Sequence, residues 1–89
     1  MYDPNPVKSD ANVRKHGVSF AAAELFEWDT AIETRDLRRE YHEVRTVALG
    51  LIGDEVYSLT FTRRGARVRI ISLRLARRKE LRRYADFYA

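Results

Sequence analysis

The chain has 89 residues, 45% apolar and 11% aromatic, enough for one domain (residues 1–89) with one modest core. It contains no cysteine, which excludes disulfides, thiolate metal sites and a cysteine nucleophile, and suits a reducing cytoplasm. Formal net charge is +4 and the residues are unevenly spread, which points to an anionic partner rather than a neutral one.

In chain order, Met1 to Pro6 has neither a basic start nor an apolar run, so no signal peptide is expected. No apolar run approaches the roughly 20 residues a bilayer requires, and a cytoplasmic protein without a membrane partner is the expectation. Asn5-Pro6 reads as a helix start, with Asn as N-cap and Pro at the first helical position. That helix should run to Lys15 or His16, with Gly17 just past its end. Ser19 can cap a second short helix from Phe20 to about Phe26, whose Phe20, Ala23 and Phe26 lie near one face and read as core. An edge strand near Ala31–Thr34 and an exposed loop follow.

Three stronger strand signals come next. Val44–Ile52 alternates with Val47, Leu49 and Leu51 on one side. Gly53-Asp54 has the make-up of a two-residue hairpin turn. Glu55–Thr62 places Tyr57, Leu59 and Phe61 on one side, Arg64-Gly65 reads as a second turn, and Arg67–Arg74 as a third strand. Ala76–Tyr88 should be a helix with Leu81, Tyr84, Ala85 and Tyr88 as its buried stripe. The fold class is therefore α+β: a small antiparallel meander with two N-terminal helices and one C-terminal helix.

Charge is concentrated in the last third. From Arg63 to Arg83 there are ten basic residues, nine of them arginine, and one acid, Glu80. From Glu24 to Glu43 there are seven acids and three arginines. Arginine grips phosphate with two parallel hydrogen bonds where lysine offers a point charge, so the pattern suits nucleic acid. A merely solvated helix face is the plainer alternative.

Two blocks carry a resemblance. One is Asn12-Val13-Arg14-Lys15-His16-Gly17-Val18-Ser19-Phe20, after Asp3-Pro4. The other is Arg69-Ile70-Ile71-Ser72-Leu73-Arg74-Leu75-Ala76, followed by Arg77-Arg78-Lys79-Glu80 and Tyr84. In this order, with a charged loop and a meander between, the chain resembles the BrnT toxin family over nearly its whole length. The resemblance implies a RelE-like fold and a ribonuclease toxin of a bacterial type II toxin–antitoxin pair. It also implies metal-independent RNA cleavage that arrests translation, and neutralisation by a BrnA-type antitoxin. Operator DNA would be met only through the ribbon-helix-helix part of that antitoxin.

The chemistry sets its own demands. Cutting RNA without a metal needs a base for the 2′-hydroxyl, an acid for the leaving 5′-oxygen, and cations for the charge on phosphorus. There are no carboxylates at ligand spacing, and His16 and His42 are far apart in sequence. This points away from a two-metal site, and no cofactor is expected. Arg64, Arg74 and Glu80 are the catalytic candidates, with Lys15, His16, Arg69 and Arg77 as substrate-binding candidates. Glu80 is either a base, an orienting group for an arginine, or a surface ion pair; among cations it is better suited to orienting. His16 is either a proton donor or a helix-end histidine held by the dipole. Tyr84, Trp28 and Phe61 read as core before base-stacking groups. Strand parity puts Arg69 and Arg74 on opposite faces, unless a bulge intervenes or Arg74 lies past the strand end. The helix start at Ala76 favours the latter. A non-catalytic nucleic-acid-binding or protein-interaction module using the same basic face is the alternative function.

Overall fold

A computed structural model describes residues 1–37 and 42–89. Pro6–His16 forms helix α1, capped by Asn5, whose Oδ1 accepts from the Lys8 N–H at 3.1 Å. Arg14, Lys15 and His16 occupy its last turn, where cations meet the negative end of the helix dipole. Gly17 ends it at φ +75°, a left-handed conformation that suits glycine. The second helix is shorter and tighter than expected: a 3₁₀ stretch, Phe20–Leu25, and a further turn, Trp28–Thr30.

Four strands follow: β1 (Ile32–Arg35), β2 (Thr46–Ile52), β3 (Glu55–Arg64) and β4 (Arg67–Leu75). They form one antiparallel sheet in the order β1-β2-β3-β4, and helix α2 (Arg78–Phe87) closes the fold as α+β. The first hairpin turn is Gly53-Asp54 as expected. The second is Gly65-Ala66, one residue later than read from sequence, and Arg64 is the last residue of β3. Part of the expected loop after β1 lies outside the described residues.

The core sits on one sheet face, under α1 and the 3₁₀ turns. Leu59, Phe61 and Leu73 are fully buried there with Ala23, Phe26, Val68 and Ile70. Trp28 packs edge-on to Phe26 and Phe61, at 4.9 and 5.1 Å, and donates from Nε1 to the Tyr2 hydroxyl. Phe61 and Trp28 are thus packing groups, as read from the sequence.

The register keeps Val47, Leu49 and Leu51 on one side of β2, as expected, and that side is the outer one. Ala48 pairs with Leu59 and Gly50 with Tyr57, so the small residues face the core, while Val47 and Leu49 face the other side with Thr60 and Ser58. Phe26 packs over Gly50 on the core side. A Cβ on Gly50 would stand 2.5 Å from Phe26 Cζ. Gly50→Ala is therefore expected to destabilise the protein by about 1–3 kcal/mol through overpacking. Equilibrium urea unfolding measures this; an unchanged midpoint would show that the ring yields freely.

Helix α2 packs against β2 on the opposite, outer face. Its expected buried stripe is not buried: Leu81 is 45% and Tyr88 51% exposed, Ala85 is exposed and Tyr84 half-buried. The helix starts at Arg78 rather than Ala76 because β4 runs on to Leu75, and it is held at its ends. At the C-terminal end the Tyr88 hydroxyl donates to the Thr30 carbonyl.

The free edge of β4 is covered by polar contacts. The Val68 N–H donates to the Met1 carbonyl at 2.7 Å, and the Asp3 N–H to the Val68 carbonyl at 2.9 Å. Farther along, the buried Asn12 takes over. Its Nδ2 donates to the Leu73 and Val18 carbonyls at 2.7 and 2.8 Å, and its Oδ1 accepts from the Leu73 N–H. Covering an edge in this way also blocks pairing with another chain.

Candidate active site

Strand β4 is not regular. Thr60 pairs with Ser72 but Phe61 pairs with Ile70, so Ile71 is an extra residue, a β-bulge. The core-facing residues change parity across it, from Val68 and Ile70 to Leu73. Arg69, opposite Thr62, and Arg74, opposite Ser58, consequently share the outer face. The expectation that Arg74 escapes strand parity by lying past the strand end is corrected: Arg74 is within β4, and the bulge realigns it.

The corner between β4 and α2 is built around Glu80. As the third residue of the helix, it accepts the Arg77 backbone N–H on Oε1 at 2.8 Å. This is the carboxylate half of a capping box, and it places negative charge at the positive end of the helix dipole. Arg74 closes on the same carboxylate as a fork, Nη1 to Oε1 at 2.7 Å and Nη2 to Oε2 at 3.1 Å. Both side chains are about four-fifths buried, at 21% and 20% exposure, so the pair is better shielded than a surface bridge. Burial alone would raise the Glu80 carboxyl. The Arg74 fork, the Arg77 N–H and the charges of both arginines outweigh it and hold Glu80 below its ordinary value.

Asn12 brings the end of α1 to this corner by clamping the helix to Leu73, the neighbour of Arg74. His16 is shifted below its ordinary value by partial desolvation and by the charges of Lys15, Arg74 and Arg77. Arg74, Arg77, Glu80, His16 and Lys15 therefore form one electrostatic group.

Arg69 and Arg64 stand apart from it. Arg69 lies along the outer face by Thr62. Arg64 is at the far end of β3, about 20 Å from the position opposite Arg74 at the usual strand rise. Its Nη2 is 3.4 Å from a Glu43 carboxylate oxygen. Two further arginines are also neutralised, Arg63 by Glu33 and Arg67 by Asp3.

A cleft of about 230 Å³ opens on the outer face between α2 and the end of β1. Of the expected site residues, Arg74 and Glu80 line it, whereas His16, Lys15 and Arg77 lie outside it. Its floor is the polar side of the sheet, including Thr34, Ser58 and Thr60, and Asp36 and Arg83 stand in its walls. Sequence reading missed these. The alternation Ser58-x-Thr60-x-Thr62 was the available signal for the floor. Asp36 sits in a charged stretch with no period, and Arg83 was one of many arginines.

Among curated proteins, none matches the chain. A family model described as "Ribonuclease toxin, BrnT, of type II toxin-antitoxin system" matches residues 2–80. That span takes in α1 and both 3₁₀ segments, all four strands and the Arg74–Glu80 corner. The chain therefore belongs to the BrnT family of ribonuclease toxins of type II toxin–antitoxin systems.

Proposed function

We propose that the protein cuts RNA without a metal ion, arrests translation by doing so, and is neutralised by a BrnA-type ribbon-helix-helix antitoxin through which it meets operator DNA. The observation that carries the catalytic part is the shielded Arg74–Glu80 fork beside a cleft on the polar sheet face. In this reading RNA lies along the outer face with Arg69 as a flanking contact and Arg64 at its far end. The 2′-oxygen attacks phosphorus as its proton passes to solvent, and the bond to the 5′-oxygen breaks as that oxygen takes a proton from water, leaving a 2′,3′-cyclic phosphate and a 5′-hydroxyl. Arg74 stabilises the charge that develops on the phosphoryl oxygens, with donors preset by Glu80. Glu80 is a positioning residue, because both its oxygens are already engaged and its lowered pKa makes it a weak base. His16, held below its ordinary value by partial desolvation and the charges of Lys15, Arg74 and Arg77, stands outside the cleft as a flanking group. Lys15 and Arg77 add positive potential at the rim.

Purified protein is expected to cleave single-stranded RNA in EDTA at an undiminished rate, with cyclic phosphate ends. Cleavage that disappears with the chelator and returns with magnesium would overturn the metal-free mechanism. Intact RNA under both conditions, together with salt-sensitive binding, would favour the non-catalytic alternative. Induction without an antitoxin should stop growth and protein synthesis, and co-expression of a BrnA-type partner should restore both.

A further inference from the structure

Four of the ten basic residues between Arg63 and Arg83 are already matched within the fold. Arg63, Arg64, Arg67 and Arg74 each face a carboxylate of Glu33, Glu43, Asp3 and Glu80 respectively. Arg74 is the most committed. Two of its nitrogens hold Glu80, and Nη1 also donates to the Leu75 carbonyl at 3.3 Å. It can present preset donors, but its charge is offset.

Arg83 is different. It lines the same cleft from α2, it is exposed, and no ion pair or hydrogen bond engages it among the described residues. It lies one turn after Glu80 and so on the same side of the helix. Glu80 cannot easily recruit it, because the fork of Arg74 and the Arg77 N–H occupy the carboxylate. Arg35 also borders the cleft, but the register pairs it with Thr46, which faces the core side with Phe61. Arg83 is thus a guanidinium without an ion pair among the described residues, in a cleft with hydroxyls of Thr34, Ser58 and Thr60 on its floor and the already engaged Asp36 in its wall.

We infer that the cleft is a one-nucleotide subsite of the RNA track, in which Arg83 grips a phosphodiester neighbouring the one held at Arg74. This rests on the ribonuclease reading above. The separation of roles is physical. A guanidinium clamped by a carboxylate is rigid and suits transition-state stabilisation, while a free one on an exposed helix can follow a flexible backbone. Arg83 therefore contributes to holding substrate and not to the chemical step.

The test uses a short single-stranded RNA with 2′-O-methyl sugars, which lacks the attacking hydroxyl and reports binding without cleavage. Fluorescence anisotropy is measured over a salt series for wild type, Arg83→Ala, Arg83→Lys and Arg82→Ala. Arg82 lies about 200° round the helix from Glu80 and controls for charge alone. Arg83→Ala is expected to weaken binding about tenfold, as for loss of a charged hydrogen bond, and to lower the salt slope by about 0.7. Arg83→Lys should recover part of the loss, and Arg82→Ala should stay within about twofold of wild type. On cleavable RNA, Arg83→Ala should raise KM with kcat kept. Thermal unfolding should not move, since Arg83 holds nothing in the fold.

Wild-type affinity in Arg83→Ala would overturn the inference, as would an equal loss in Arg82→Ala or a wild type that does not bind the oligonucleotide. Failure of the ribonuclease reading shows separately, as wild type that binds the blocked RNA but leaves the cleavable RNA intact.

Discussion

Arg74→Ala is expected to slow RNA cleavage by about a hundredfold to a thousandfold, the scale of losing one preset donor to developing charge. The fork with Glu80 fixes the guanidinium plane at the floor of the cleft, so its donors need no reorganisation as the phosphorane forms. Arg74→Lys retains the charge but cannot fill both carboxylate oxygens as a planar fork does, and is expected to recover only a minor part of the rate. Stability responds separately. Removing Arg74 leaves Glu80 largely buried without its main partner, at a cost of about 1–3 kcal/mol. Comparing kcat with the urea midpoint separates the two effects, because at low temperature the variant remains folded. Cleavage by folded Arg74→Ala at the wild-type rate would remove this arginine from the chemistry.

Asn12→Leu is expected to destabilise the fold by about 3 kcal/mol and to lower the melting midpoint by more than about 10 °C. One amide satisfies the Leu73 N–H and the carbonyls of Leu73 and Val18, and a leucine satisfies none of them. These groups lie where α1 meets the sheet edge, so water does not readily replace the lost partner. The same clamp ties α1 to Leu73, the neighbour of Arg74, so residual activity should fall further than the folded fraction does. Differential scanning calorimetry and single-turnover cleavage measure the two quantities. A melting midpoint within a degree or two of wild type would show that the clamp is dispensable.

Much of the architecture was legible because it depends on local signals. Asn5-Pro6 and Gly17 bound α1 through capping and φ preference, and Gly53-Asp54 closes the first hairpin for the same kind of reason. The features that were not legible depend on tertiary contacts. Val47 and Leu49 look like core residues, yet β2 turns Ala48 and Gly50 to the core, where Phe26 leaves no room for a Cβ at Gly50, and Leu49 is buried on the outer side. The stripe on α2 has the spacing of a buried face, yet the helix lies over β2 on the outer face and leaves it half-exposed. Arg74 and Glu80 could be nominated from chemistry and shown to be neighbours only by the fold. The bulge at Ile71 lies in Ile70-Ile71-Ser72, with no glycine or proline to announce it.

That bulge gives the chain an arithmetic property. Five positions separate Arg69 from Arg74, an odd number, and only the extra residue lets an odd count end on the same side. Loss of one codon between them would leave an even separation of four, and a regular strand without the bulge would then still carry both arginines on one face. What must be inherited across this stretch is therefore an odd count with a bulge or an even count without one. Reading distant relatives here is a matter of counting between two arginines before comparing what stands between them.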